Sequence, residues 1–178
     1  VKTSTNLAAF SCSTLTASGA VALQSTFAVT GATTLTGAVT ASNALISFDA
    51  VTPDRLLSTK QLNPLAVGEK IVGIDFRPST GVLFALSQNV QNGQLYTVNL
   101  ATGALTAVGT TFSLTGAYFG VNFNPTVDRI RVVSDTGVSL RLHPDTGALV
   151  ATDTAVTFDG ADTNSAATPH VVAVAYDN

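Results

Sequence analysis

Cysteine occurs once, at Cys12, so no intrachain disulfide framework and no cysteine-based zinc site is available. Glutamate also occurs once, at Glu69, and an EF-hand, which closes on a bidentate glutamate, is not expected. Tryptophan and methionine are absent. Charged residues make up only 11%, and no basic run is present. The electrostatic footprint that holds a phosphate backbone is missing, so nucleic-acid binding is not expected. No charge falls between Lys2 and Asp49, but Thr and Ser interrupt that stretch too often for a run of about 18 apolar residues, so no membrane span is expected. Leu7-Ala8-Ala9-Phe10 is too short for the apolar region of a secretory signal. There is no Gly-x-Ser-x-Gly elbow, P-loop or dinucleotide fingerprint. No cofactor and no enzymatic activity are expected.

What is abundant is apolar and β-branched. Hydrophobic residues make up 46%, which argues against disorder, and the Thr and Val content favours strands. The chain of 178 residues fits one ordinary domain, or a small domain plus an extension. It divides into a leader (1–13), a hexad-repeat stem (14–43) and a head (44–178).

The stem is a six-residue repeat. Leu15, Val21, Phe27, Thr33 and Val39 are spaced six apart, and Ala17, Leu23, Val29, Leu35 and Ala41 follow two positions later. Gly19, Ser25, Gly31, Gly37 and Asn43 follow two positions later again. Alternation with period two means β structure. Five hexads cannot bury such a stripe within one chain. The spacing therefore predicts an intertwined trimeric β stem, with Leu15, Val21, Leu23, Phe27, Val29, Leu35 and Val39 at the trimer interface.

The head contains a second repeat. Gly73-Ile74-Asp75-Phe76-Arg77-Pro78 parallels Gly120-Val121-Asn122-Phe123-Asn124-Pro125, and Val82–Ser87 parallels Arg129–Ser134. Ala101-Thr102-Gly103-Ala104-Leu105 then parallels Asp145-Thr146-Gly147-Ala148-Leu149. The offset falls from 47 to 44, placing a three-residue length difference in the loop at Gln88–Gly93. Each unit reads as four strands: 71–77, 82–87, 94–99 and 104–109, then 118–123, 129–134, 139–143 and 148–153. Such units predict propeller-like blades. Leu45–Asp49 with the segment near Leu56–Leu62 resembles the last two strands of a unit, and Val171–Tyr176 resembles the first strand of another. The expected fold is all-β: a trimeric stem followed by a partial propeller-like head, completed by neighbours or by exchange between subunits.

Residues 45–178 resemble an uncharacterised bacterial β-propeller-like domain of unknown function. The resemblance rests on Leu45–Asp49, Gly73–Pro78, Phe119–Arg131 with its Asn-Pro-Thr-Val-Asp-Arg core, Leu140-Arg141-Leu142, Asp145-Thr146-Gly147 and Pro169–Tyr176. It implies a β fold and brings no assigned activity. Residues 14–43 are similar to the Thr-Leu-Thr-Gly-Ala runs of phage fibre stems.

Candidate chemistry is sparse. Asp75 with Arg77, and Asp128 with Arg129 and Arg131, would suit a carboxylate–guanidinium site. The plainer reading is ion pairs and turn hydrogen bonds that fix blade corners. His143 and His170 would need a third ligand to hold a metal, and no metal site is expected. Asp159-Gly160-Ala161-Asp162-Thr163-Asn164 offers hard oxygens but reads as an ordinary polar loop. Tyr96, Tyr118 and Tyr176 offer stacking surfaces for a sugar, against a plainer role in packing.

The expected function is that of a phage structural virion protein: a fibre, spike or capsid-decoration protein. It would form a homotrimer, attach to a capsid or tail protein and display its head outward, with host glycans as the candidate contact. The alternative is a bacterial secreted or cell-surface adhesion module. A propeller hydrolase is a third class, without a visible site.

Overall fold

The computed structural model describes residues 39–41 and 43–177. The stem positions Leu15, Val21, Leu23, Phe27, Val29 and Leu35 lie outside the described residues. Val39 lies in a strand that pairs within the chain, opposite Ile46.

Eleven strands form three antiparallel sheets, with no helix among the described residues. The first sheet holds β1 (Val39–Ala41), β2 (Ala44–Phe48) and β3 (Leu56–Gln61). The second is a meander of β4 (Lys70–Phe76), β5 (Leu83–Asn89), β6 (Asn92–Val98) and β7 (Leu105–Ser113). The third repeats it with β8 (Phe119–Asn124), β9 (Arg129–Ser134), β10 (Ser139–Leu142) and β11 (Leu149–Thr152). The two four-strand units fall where the sequence repeat places them, and the three sheets do not close into a ring among the described residues. The length difference also falls in the expected hairpin. β5 and β6 pair out to Asn89 and Asn92, whereas β9 and β10 turn back at Val133 and Ser139.

The second sheet is sandwiched, and β5 shows why. Leu83, Phe84, Ala85 and Leu86 are all buried. Alternation sends Leu83 and Ala85 into a cluster with Leu45 and Leu62 on the first-sheet side. It sends Phe84 and Leu86 into a cluster with Phe123, Ile130 and Val132 of the third. A strand buried on both faces therefore reads as a continuous apolar run. Phe84 and Phe123 meet edge to face, with ring centroids 5.2 Å apart.

The second sheet approaches the third, and the third approaches the Val171–Tyr176 segment, closely enough to require glycine. A Cβ at Gly73 would lie 2.4 Å from Val121 Cγ2, and one at Gly120 would lie 2.7 Å from Ala173 Cα. The turns dock in a repeated way as well: the Gly103 turn packs on the Gln61 carbonyl, and the Gly147 turn packs on the Val108 carbonyl.

Val171–Tyr176, expected as a first strand, makes no strand pairing among the described residues. Nevertheless it runs against β8, as the contact at Gly120 shows.

Candidate functional site

The sheet junctions gather most of the polar chemistry. On β4, Asp75 Oδ2 accepts the Phe123 backbone N–H at 2.7 Å and the Asn122 side-chain amide at 3.0 Å. Its other oxygen accepts the Phe76 N–H at 2.8 Å. Asn122 then accepts the Tyr176 N–H at 2.8 Å. An amide both donates and accepts, so Asn122 receives its own sheet's link and passes on the next.

Arg77, just beyond β4, reaches across the same junction. Its Nε donates to Asp128 Oδ1 at 2.9 Å, and its terminal nitrogens reach Asp128 Oδ2 and both oxygens of Asp145. Ser79 adds a bond to Asp128 at 3.3 Å. The Arg77 side chain is 13% exposed, and Asp128 and Asp145 are 33% and 59% exposed. Hydrogen bonds from Arg77 hold both carboxyls below the usual carboxylate range and raise the guanidinium pKa. A cleft of about 260 Å³ beside this cluster is lined by Arg77, Thr80, Val82, Phe84, Thr97 and Asp145 among others. The bonds of Arg77 and Ser79 to Asp128, and of Arg77 to Asp145, cross-link the end of β4 to the turns of the third sheet.

The structure thus separates the residues grouped by sequence. Arg77 and Asp128 come together, joined by Asp145. Asp75 bonds the neighbouring strand, and Arg129 bonds the Val127 and Asp128 carbonyls. Arg131 belongs to another cluster: it bonds Asp153, Ser139 at 3.1 Å and the Tyr176 hydroxyl at 3.1 Å. Arg141 also grips Asp153, at 2.8 and 2.7 Å. Bonds from Arg141, then Arg131, lower the Asp153 pKa.

Sequence reasoning missed a third cluster. Glu69, 8% exposed, accepts from the Ser87 hydroxyl, the Tyr96 hydroxyl at 2.9 Å and the Ala66 N–H at 2.7 Å. Burial, then the bond to Glu69, pushes the Tyr96 phenol up to about 12. Its signal was available in the lone glutamate, at the mouth of an apolar strand.

The histidines take separate partners. His143 Nδ1 accepts the Asp145 N–H at 3.2 Å, and His170 Nδ1 lies 3.0 Å from the Asp135 carbonyl. Asp159 and Asp162 cap their own turns, accepting from the Ala161 and Asn164 N–H groups. Among the described residues no group of three or more His, Cys, Asp or Glu side chains is placed to hold a metal, and no helix is long and apolar enough to cross a membrane. Tyr118 is 65% exposed, whereas Tyr96 and Tyr176 are held by hydrogen bonds.

Residues 44–178 match the family model DUF4394, a domain of unknown function. The chain belongs to the DUF4394 family. The match spans all three sheets except β1 and leaves the hexad stem outside. Comparison with curated proteins and with solved structures gives no match. The DUF4394 region is all-β, and its repeated polar residues sit where one sheet meets the next.

Proposed function

We propose that this DUF4394 protein is a structural component of a phage virion: a fibre, spike or capsid-decoration protein without enzymatic activity. It trimerises through residues 14–43, with residues 1–13 as the anchor to a capsid or tail protein. The head is built of propeller-like blades and is displayed outward, toward host glycans. The uncharged hexad repeat carries this reading, because a β stripe of that length needs other copies to bury it. The head is compatible with a display role. Its charged clusters at Arg77 and Asp153 are engaged in bonds between strands and sheets, an arrangement that favours rigidity.

Two measurements test the reading. Light scattering on the full chain is expected to give the mass of three copies. Replacing Leu23, Val29 and Leu35 with Asp is expected to give a folded monomer, since buried unpaired charges are costly. A single-copy mass for the unaltered chain overturns the trimer. Antibodies to the head are expected to decorate purified phage particles; labelling confined to a bacterial envelope would favour the adhesion module instead.

A further inference from the structure

The cleft beside Arg77 lies where the second sheet meets the third, and its walls divide by chemistry. Phe84 and Val108 belong to the apolar cluster between those sheets. Thr97 stands opposite Phe84 in the ladder, and Val82 precedes Phe84 by two, so all four share the face turned to the third sheet. Phe84 is buried, whereas Val82 is 39% exposed. Pro144 and Asp145, in the turn between β10 and β11, line the cleft from the other side.

The polar groups of the cleft accept more readily than they donate. Nε and both terminal nitrogens of Arg77 are engaged by Asp128 and Asp145. Asp145 is 59% exposed and, ionised, is an acceptor alone. The Thr97 hydroxyl in the lining has no hydrogen-bond partner among the described residues. His143 Nδ1 lies 4.0 Å from Asp145 Oδ2, but it accepts the Asp145 N–H and so offers the carboxylate no proton. Arg129 turns to the Val127 and Asp128 carbonyls and stands outside the lining. One guanidinium therefore bonds two carboxylates, and the more exposed of them faces the cleft.

The internal repeat does not call for these groups. Asn124 stands in the place of Arg77, Gly81 in that of Asp128, Ala101 in that of Asp145 and Arg129 in that of Val82. Asp128 keeps φ at 51°, where Gly81 has 70°, a conformation that glycine adopts most readily. The carboxylates are additions to the repeat at this junction.

We propose that the cleft takes a lysine side chain of a partner protein, with its ammonium on Asp145 and the Thr97 hydroxyl and its stem on Val82, Phe84 and Val108. A long aliphatic stem ending in a charge matches an apolar wall with an acceptor at its rim. Arginine suits the site less, because both Asp145 oxygens already receive a guanidinium, and a point charge needs only one of them. The volume of about 260 Å³ lies below the roughly 300–1,000 Å³ of ordinary small-molecule sites, and one side chain with further contacts around it suits that size. This inference does not rest on the virion reading.

NMR titration of the full-length protein tests it, with N-acetyl-lysine methylamide as the probe. We expect saturable shifts at Val82, Thr97 and Val108, and affinity at least about tenfold above that of the norleucine counterpart, which has the stem without the ammonium. Asp145→Asn should weaken the lysine probe at least fivefold, whereas Asp159→Asn, an exposed carboxylate in another loop, should leave it within about twofold. Thr97→Phe fills the cleft without touching the ion pairs and should abolish the shifts, with circular dichroism confirming the fold. Absence of saturable shifts overturns the proposal, as does equal affinity for the two probes or binding indifferent to Asp145→Asn. Binding that survives in a folded Thr97→Phe protein overturns it too. Tighter binding of n-butylamine than of the lysine probe would assign the cleft to free amines and overturn the partner.

Discussion

Arg131 donates to the Tyr176 hydroxyl at 3.1 Å in the place where the preceding junction holds Phe84 edge to face against Phe123. The repeat keeps the position and changes the chemistry. An aromatic pair seals the junction between the second and third sheets. A cation and a phenol join the third to the segment that follows, where Val172 and Ala173 remain exposed.

Asp75 is the acceptor that sets β8 against β4. Asp75→Ala leaves the Phe123 N–H without its partner and is expected to cost about 1–3 kcal/mol in urea unfolding. Asp75→Asn should cost less, since Asn122 performs the same task one sheet later. Equal stability of Asp75→Ala and the unaltered protein would refute this role.

Gly73 has no room for a methyl. Gly73→Ala is expected to destabilise by about 1–3 kcal/mol through overpacking. Val121→Ala removes the γ-carbons that such a methyl would strike, so the double variant should lose less than the sum of the singles. Strict additivity in chemical denaturation would show that the two sheets part at no cost.

The Arg77 cluster gives an acid limb. Asp128 and Asp145 have folded-state pKa values below their unfolded values, which lie near ~4. Their stabilisation is present above that pH and is lost as pH falls through the lower folded values. Arg77→Gln should therefore lower the melting temperature most at neutral pH. The gap to the unaltered protein should narrow below about pH 4, as thermal scans across pH would show.

Tyr96 gives the opposite limb. Its folded pKa is about 12, above the usual phenol value near ~10, so the folded state holds the proton more tightly. That contribution is intact below about pH 10 and is lost as pH rises toward 12. Ultraviolet titration of the folded protein should show a step near pH 12 that Tyr96→Phe removes. Survival of that step in the variant would reassign it.

Strand positions in the head were legible because the signals are local. The run Val82–Ser87 and its counterpart Arg129–Ser134 declared two strands, and the shift from 47 to 44 located the longer hairpin. Less legible was anything set by docking between sheets. β7 runs on to Ser113 past its expected end at 109, pairing Phe112 with Gly93 across a register shift. Val39–Ala41, counted with the stem, pairs with β2 through a two-residue connection. The partners of Arg77 were half visible. Asp128 stands next to an arginine in the sequence, whereas Asp145 reads as a turn residue, and only the approach of two sheets gives it a guanidinium. Asp153 and Arg141 carried no local pattern that would join them to Arg131.

The strand β5 contributes to both apolar clusters, with Leu83 and Ala85 on one side and Phe84 and Leu86 on the other. Loss of either flanking sheet would wet one face of the strand and strip the support from the other. Melting of the three sheets should therefore be cooperative, each nearest-neighbour contact failing with the next. A lesion in the first sheet would then be felt in the third, and the head should show one calorimetric transition in place of three.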